Sequence, residues 1–161
     1  MYLASIAASL FAVSSSTLLA NQPVYTTKLQ NGWSDWSWAK LIKGSNGFTA
    51  EMKPWQSVYF HHATLDSWHY NAIQFKVYGG HEGGQVFRIQ ALVHGRPVFE
   101  TARLVVLPGR WFTVDVPFCM LGLTHQRFDG FWIQAQRNAI VQMADFSLIT
   151  RNLNRTENAA G

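Results

Sequence analysis

The sequence predicts an all-β chain folded as a two-sheet antiparallel β-sandwich. Three observations carry that expectation. From Tyr25 onward, apolar residues recur with a period of two rather than 3.6. Clusters of Gly, Pro, Asn and Asp interrupt the alternation at short intervals. No stretch beyond Ala20 carries a convincing helical apolar stripe.

The strands follow in order. "FTAEM" and "SVYFHHA" are the first after the Trp-rich opening "NGWSDWSW". In "AIQFKVYGG", Ile73, Phe75 and Val77 share one face, and Gln74, Lys76 and Tyr78 the other. "QVFRIQALV" sets Phe87, Ile89, Ala91 and Val93 against Arg88, Gln90 and Leu92. "PVFETARLVV" reads as a further strand. "RWFTVDVPF" alternates Phe112, Val114 and Val116 against Trp111, Thr113 and Asp115. "GFWIQAQR" sets Phe131, Ile133 and Ala135 against Trp132, Gln134 and Gln136, and "VQMADFSLI" is the last strand. The breakers are "KGSNG", "MKP", "YGGHEGG", "HGRP", "LPGR" and "FDG". A brief helical turn fits "FCMLGLTHQRF". Short strands with regularly spaced turns argue for a sandwich or barrel.

With 161 residues and 48% hydrophobic content, the chain can bury one domain's core. Residues 1–20 read as a signal peptide, because the apolar stretch Leu3–Val13 is too short for a membrane span and small residues follow it to Ala20. The expected body is 21–150, with a polar tail over 151–161 and a secreted location. Asn154-Arg155-Thr156 is an acceptor pattern for N-glycosylation. No later segment reaches membrane-span length.

Charge is low and dispersed. Charged residues make up 14% of the chain, with 13 basic and 9 acidic, a net charge of +4. The basic residues are spread from Lys28 to Arg155, so the sequence offers no stripe for nucleic acid. The single cysteine, Cys119, lies in an apolar run and is expected to be buried.

Catalytic constellations are missing from the pattern. A glycosidase needs two close carboxylates, and nothing singles out a pair among Glu51, Glu100, Asp115 and the other acids. There is no GxSxG motif. His61 and His62 are adjacent, so on a strand they point apart and do not form a metal pair. The glycine loop "GGHEGGQ" leads into a strand, not a helix, which leaves a β-turn rather than a phosphate cradle. The chain is expected to bind rather than to catalyse.

Aromatics and amides indicate what it binds. The chain has 7 Trp, 11 Phe and 5 Tyr, more rings than its core requires. On a strand Trp36 and Trp38 share a face. With Tyr78, Gln85, Arg88, Gln90, Trp132, Gln134 and Gln136 they make the expected site. Rings stack on the apolar faces of sugars, and amide and guanidinium groups pair with hydroxyls. The same residues also fit an ordinary solvated sheet face. Low charge and surplus aromatics fit, equally, a self-associating subunit of an extracellular filament, coat or cell-wall layer.

The order of "NGWSDWSW", "YNAIQFKVYGGHEGGQVFRIQ", "GRWFTVDVPFCMLG", "DGFWIQAQ" and "VQMADFSLI" resembles that of jelly-roll carbohydrate-binding modules with the galactose-binding-like fold. The resemblance spans about 24–150 of the chain. It implies a secreted, non-catalytic partner of a polysaccharide or glycoprotein glycan. Gly79, Gly80, Gly83, Gly84 and Gln85 match its glycine loop, and Trp111 and Pro117 match the strand before its "LG" turn. Asp145 matches an acidic position that in many relatives holds a structural calcium. Here Thr26, Thr27 and Lys28 stand where those relatives carry acids, which departs from the six to eight oxygens calcium prefers.

Overall fold

The computed structural model describes residues 20–151. Twelve strands form two antiparallel sheets. They are β1 (Gln22–Tyr25), β2 (Ser34–Asp35), β3 (Lys40–Lys43), β4 (Phe48–Met52), β5 (Ser57–Asp66), β6 (Tyr70–Tyr78), β7 (Val86–Val93), β8 (Arg96–Pro97), β9 (Ala102–Val105), β10 (Phe112–Pro117), β11 (Arg127–Ala135) and β12 (Ala139–Thr150). The first sheet has the order β10-β6-β12-β4-β3, with β1 also on β12. The second has the order β2-β5-β11-β7-β8, with β9 also on β7. Short 3₁₀ turns at Ser67–His69 and Phe118–Leu121 are the described helical pieces.

The alternation read from the sequence sets the layers. Ile73, Phe75 and Val77 of β6 are buried, as are Phe87, Ile89 and Ala91 of β7 and Phe131, Ile133 and Ala135 of β11. Between the sheets Phe60, Phe131 and Phe146 pack edge to face, with Phe60–Phe146 centroids 5.1 Å apart and Phe60–Phe131 centroids 6.0 Å apart. Each such pair contributes about 0.5–1.5 kcal/mol beyond area burial.

β12 breaks period two at a bulge. On β12, Met143 and Phe146 are both buried although they are three positions apart. The register slips between Ala144 and Ser147, which face Lys76 and Gln74. The extra residue is a β-bulge, and Asp145 in it takes φ 53°. Gly47 lies against this bulge: a Cβ there would sit 2.3 Å from the Met143 carbonyl oxygen.

Two expectations change. "PVFETARLVV" is not one strand, because it divides into β8 and β9 around an exposed Phe99. Cys119 is exposed, since the 3₁₀ turn directs Phe118 and Leu121 inward and leaves Cys119 and Met120 outside. Trp33 belongs to the core. Its ring packs at 5.5 Å on Phe131, and its indole donates to Gln22 Oε1 at 3.0 Å. "HGRP" is a tight hairpin between β7 and β8, with His94 and Gly95 both at positive φ. The leader over 1–20 and Asn154 in the tail lie outside the described residues, apart from Ala20.

Candidate ligand-binding site

The outer face of the second sheet gathers the aromatic and amide residues. Cross-strand register fixes which side chains meet there. Trp132 of β11 lies opposite Tyr59 of β5 on one side and Gln90 of β7 on the other. In the next row, Gln134 lies between Ser57 and Arg88. Arg88 is in turn opposite Arg103 of β9. At about 4.8 Å per strand step, the face from β2 to β9 spans roughly 19 Å.

Trp36 and Trp38 extend the β2 edge. The Trp36 backbone N–H donates to the Tyr59 carbonyl at 2.8 Å and that of Trp38 to the Ser57 carbonyl at 3.2 Å. Both rings stand edge-on to Tyr59, with interplanar angles of 82°. Trp36 also stacks on His61 at 3.7 Å, nearly parallel, and Trp38 meets Trp132 edge-on at 5.4 Å. Burial pushes the Tyr59 phenol above its ordinary pKa, helped by the charge of Asp129. The phenol therefore stays protonated at neutral pH.

Trp55 closes the row from the turn between β4 and β5. Its φ is 71°, a left-handed conformation that bulky residues rarely adopt. The position is held from three sides. The Trp55 N–H donates to the Ala135 carbonyl at 2.8 Å. The Trp55 carbonyl accepts from Trp38 Nε1 at 3.0 Å and from Gln134 Nε2 at 3.1 Å. The guanidinium of Arg88 lies 5.8 Å from the Trp55 ring centroid. The result is three rings open to solvent on one face: Trp36 at 52%, Trp38 at 44% and Trp55 at 58% exposure.

The two amides in the middle of this face have a different job from the rings. Gln90 and Gln134 are buried. Gln90 Oε1 accepts from Trp132 Nε1 at 3.1 Å, while Gln90 Nε2 donates to the Val98 carbonyl at 2.8 Å. Gln134 Oε1 accepts from Arg88 Nη2 at 2.8 Å. Both amides thus orient rings and the guanidinium from beneath.

Two hollows flank the platform. One, of about 660 Å³, opens beside Trp38 and is lined by Lys40, Glu51, Lys53, Gln56 and Asn138 among others. The other, of about 290 Å³, is lined by Arg88, Arg103, Gln136 and Arg137 with Thr101 and the Val86–Phe87 segment.

Of the residues expected from sequence, Trp36, Trp38, Arg88, Gln90, Trp132 and Gln134 come together, and Gln136 adjoins them through the smaller hollow. Tyr78 does not. It lies on β6 in the first sheet and stacks on Trp111 at 5.7 Å. Gln85 is also elsewhere: its amide donates to the Gly79 and Ile140 carbonyls, at 2.8 and 3.2 Å. It thereby ties down the glycine loop, where a Cβ on Gly79 would lie 2.2 Å from Gln85 Oε1. Tyr59 and His61 also belong to this face, each against the Trp36 ring. The alternation in "SVYFHHA", opposite Val58 and Phe60, was the available signal.

Asp145 does not fit a calcium site. Its carboxylate pairs with Lys76 Nζ at 3.2 Å, and no group of three or more His, Cys, Asp or Glu converges among the described residues. The acids considered for catalysis stay apart. Glu51 pairs with Lys40 at 3.0 Å, and Asp115 accepts from Gln74 Nε2 at 2.7 Å on a different strand. No described helix is long and apolar enough to cross a membrane.

No family sequence model matches the chain, and no curated protein matches it in sequence. Solved structures do match its fold. A variant of a family 29 carbohydrate-binding module aligns at 12% identity with a TM-score of 0.59, over 81% of this chain and 91% of its own. A variant of that family complexed with cellulohexaose gives 11% identity and a TM-score of 0.60, over 80% and 89%. One complexed with mannohexaose gives 14% and 0.58, over 80% and 90%. The chain therefore has the jelly-roll β-sandwich fold of the family 29 carbohydrate-binding modules.

Proposed function

We propose that this chain is a secreted, non-catalytic module that binds a polysaccharide chain across the outer face of its second sheet. The observation that carries the reading is the convergence of Trp36, Trp38 and Trp55, solvent-open rings on one face, with the Trp38 indole and the Trp55 backbone tied by hydrogen bonds. Flat rings held rigid before binding lose little conformational entropy on contact, which favours stacking against the apolar faces of pyranoses. Hydroxyls would meet Lys40, Glu51, Gln56 and Asn138 beside Trp38, and Arg88 and Gln136 at the other end. The sandwich neighbours solved with cellulohexaose and mannohexaose support a linear glycan as the ligand.

The test is titration calorimetry with cellohexaose, mannohexaose and soluble cell-wall polymers, using folded protein. Binding that disappears on replacing Trp36 and Trp38 together with alanine supports the reading. Absence of binding to every glycan offered contradicts it.

A further inference from the structure

We infer that the glycan carries acidic groups, and that Arg88, Arg103 and Arg137 read that charge at the β7–β9 end of the platform; this rests on the glycan-binding reading above. The residues lining the smaller hollow include three arginines and no carboxylate. Among the described residues the ion pairs are Lys40–Glu51 and Lys76–Asp145, so none of these arginines has an acidic partner.

The placement is costly without a ligand. Arg88 and Arg103 are directly opposite each other in the β7–β9 ladder. Like charges so placed destabilise a sheet. Only 14% of this chain is charged, yet two of its cations face each other across one strand pair with a third beside them. An anion between them removes the repulsion.

The donors are also in hand. Arg88 Nη2 is held by Gln134, while Arg88 Nε and Gln136 Nε2 are covered and make no hydrogen bond. Arg103 and Arg137 are exposed, so their planar forks are free to take a carboxylate or sulfate ester in bidentate fashion. Because Arg88 also lies over the Trp55 ring, the charged substituent would sit next to a stacked sugar.

The experiment compares polygalacturonate, dextran sulfate, neutral cellohexaose and a DNA oligonucleotide by affinity electrophoresis and calorimetry at two salt concentrations. The variants are Arg103→Gln and Arg137→Gln. An acidic glycan should bind at least tenfold more tightly than the neutral one, with affinity falling as salt rises. Each variant should weaken that binding about tenfold, the loss of one charge-assisted hydrogen bond, and leave neutral binding unchanged. Preference for the carboxylate or for the sulfate identifies the source of the charge, and either supports the inference.

Equal binding of neutral and acidic glycans overturns it while leaving the stacking platform intact. DNA bound as tightly as the acidic glycan overturns it too, since the site would then read a polyanion and not a sugar. So does an equal loss of neutral binding in both variants. Failure of every glycan to bind the wild type instead removes the reading on which it rests.

Discussion

The indole of Trp38 donates to the backbone carbonyl of Trp55 at 3.0 Å, so the Trp38 ring is tied to the turn that carries Trp55. Gln134 donates to the same carbonyl from the buried side at 3.1 Å. One oxygen thus couples the edge strand, the β4–β5 turn and the centre of the sheet.

Trp38→Ala should weaken glycan binding by about 2 kcal/mol, roughly thirtyfold in Kd, as loss of a central aromatic anchor does. Trp38→Phe retains a ring but not the indole donor, so it should recover part of that loss. Calorimetry on both variants checks the order. Equal affinities for the two would mean that the ring face is not the contact.

Trp55→Gly should separate stability from function. At φ 71° a side chain is strained, and glycine relieves about 1–2 kcal/mol of that strain. Urea unfolding should therefore show equal or greater stability, while glycan affinity falls. A loss of stability of more than about 1 kcal/mol would show that the Trp55 ring supports the fold.

Gln134→Ala should destabilise the fold by about 1–3 kcal/mol, because it leaves the Arg88 guanidinium without its acceptor and a cavity beneath Trp55. Gln134→Glu keeps an acceptor for Arg88 but cannot donate to the Trp55 carbonyl, so it should fall between. Denaturant midpoints at neutral pH check the series.

Alkali should weaken the fold through its buried and half-buried tyrosines. Burial raises the pKa of Tyr25, Tyr59 and Tyr70 above 10.0. Above that value the unfolded chain loses phenolic protons first, so the native state holds more protons and stability falls with pH. Below it this contribution is fully present. Unfolding free energies measured on either side of that value should show the decline, and a flat profile would contradict it.

Calcium should leave the melting temperature unchanged. Asp145 is paired with Lys76, and a calcium ion would have to displace that ammonium without further acids to hold it. A rise in Tm on adding calcium would reveal a site that these residues do not suggest.

The sandwich was legible because apolar and polar residues alternate along much of β6, β7 and β11. The bulge at Asp145 was not, since one extra residue leaves the local composition unchanged and shows only in the register with β6. Trp36 and Trp38 were legible as a same-face pair by their spacing. Tyr78 and Arg88 both lie on polar strand faces, but periodicity does not say which sheet a strand joins. They point out of opposite sides of the sandwich. The arginine cluster was hidden for the same reason: Arg88 and Arg103 meet only through the β7–β9 pairing, and Arg137 joins them from the β11–β12 turn.

Tryptophan fluorescence during titration with a linear hexasaccharide tests the central claim most directly. Stacking on Trp36, Trp38 and Trp55 should shift and saturate the emission with a defined Kd, and the response should vanish in the Trp36→Ala/Trp38→Ala variant with its fold intact. An unchanged spectrum across neutral and acidic glycans, or an undiminished response in that variant, would contradict it.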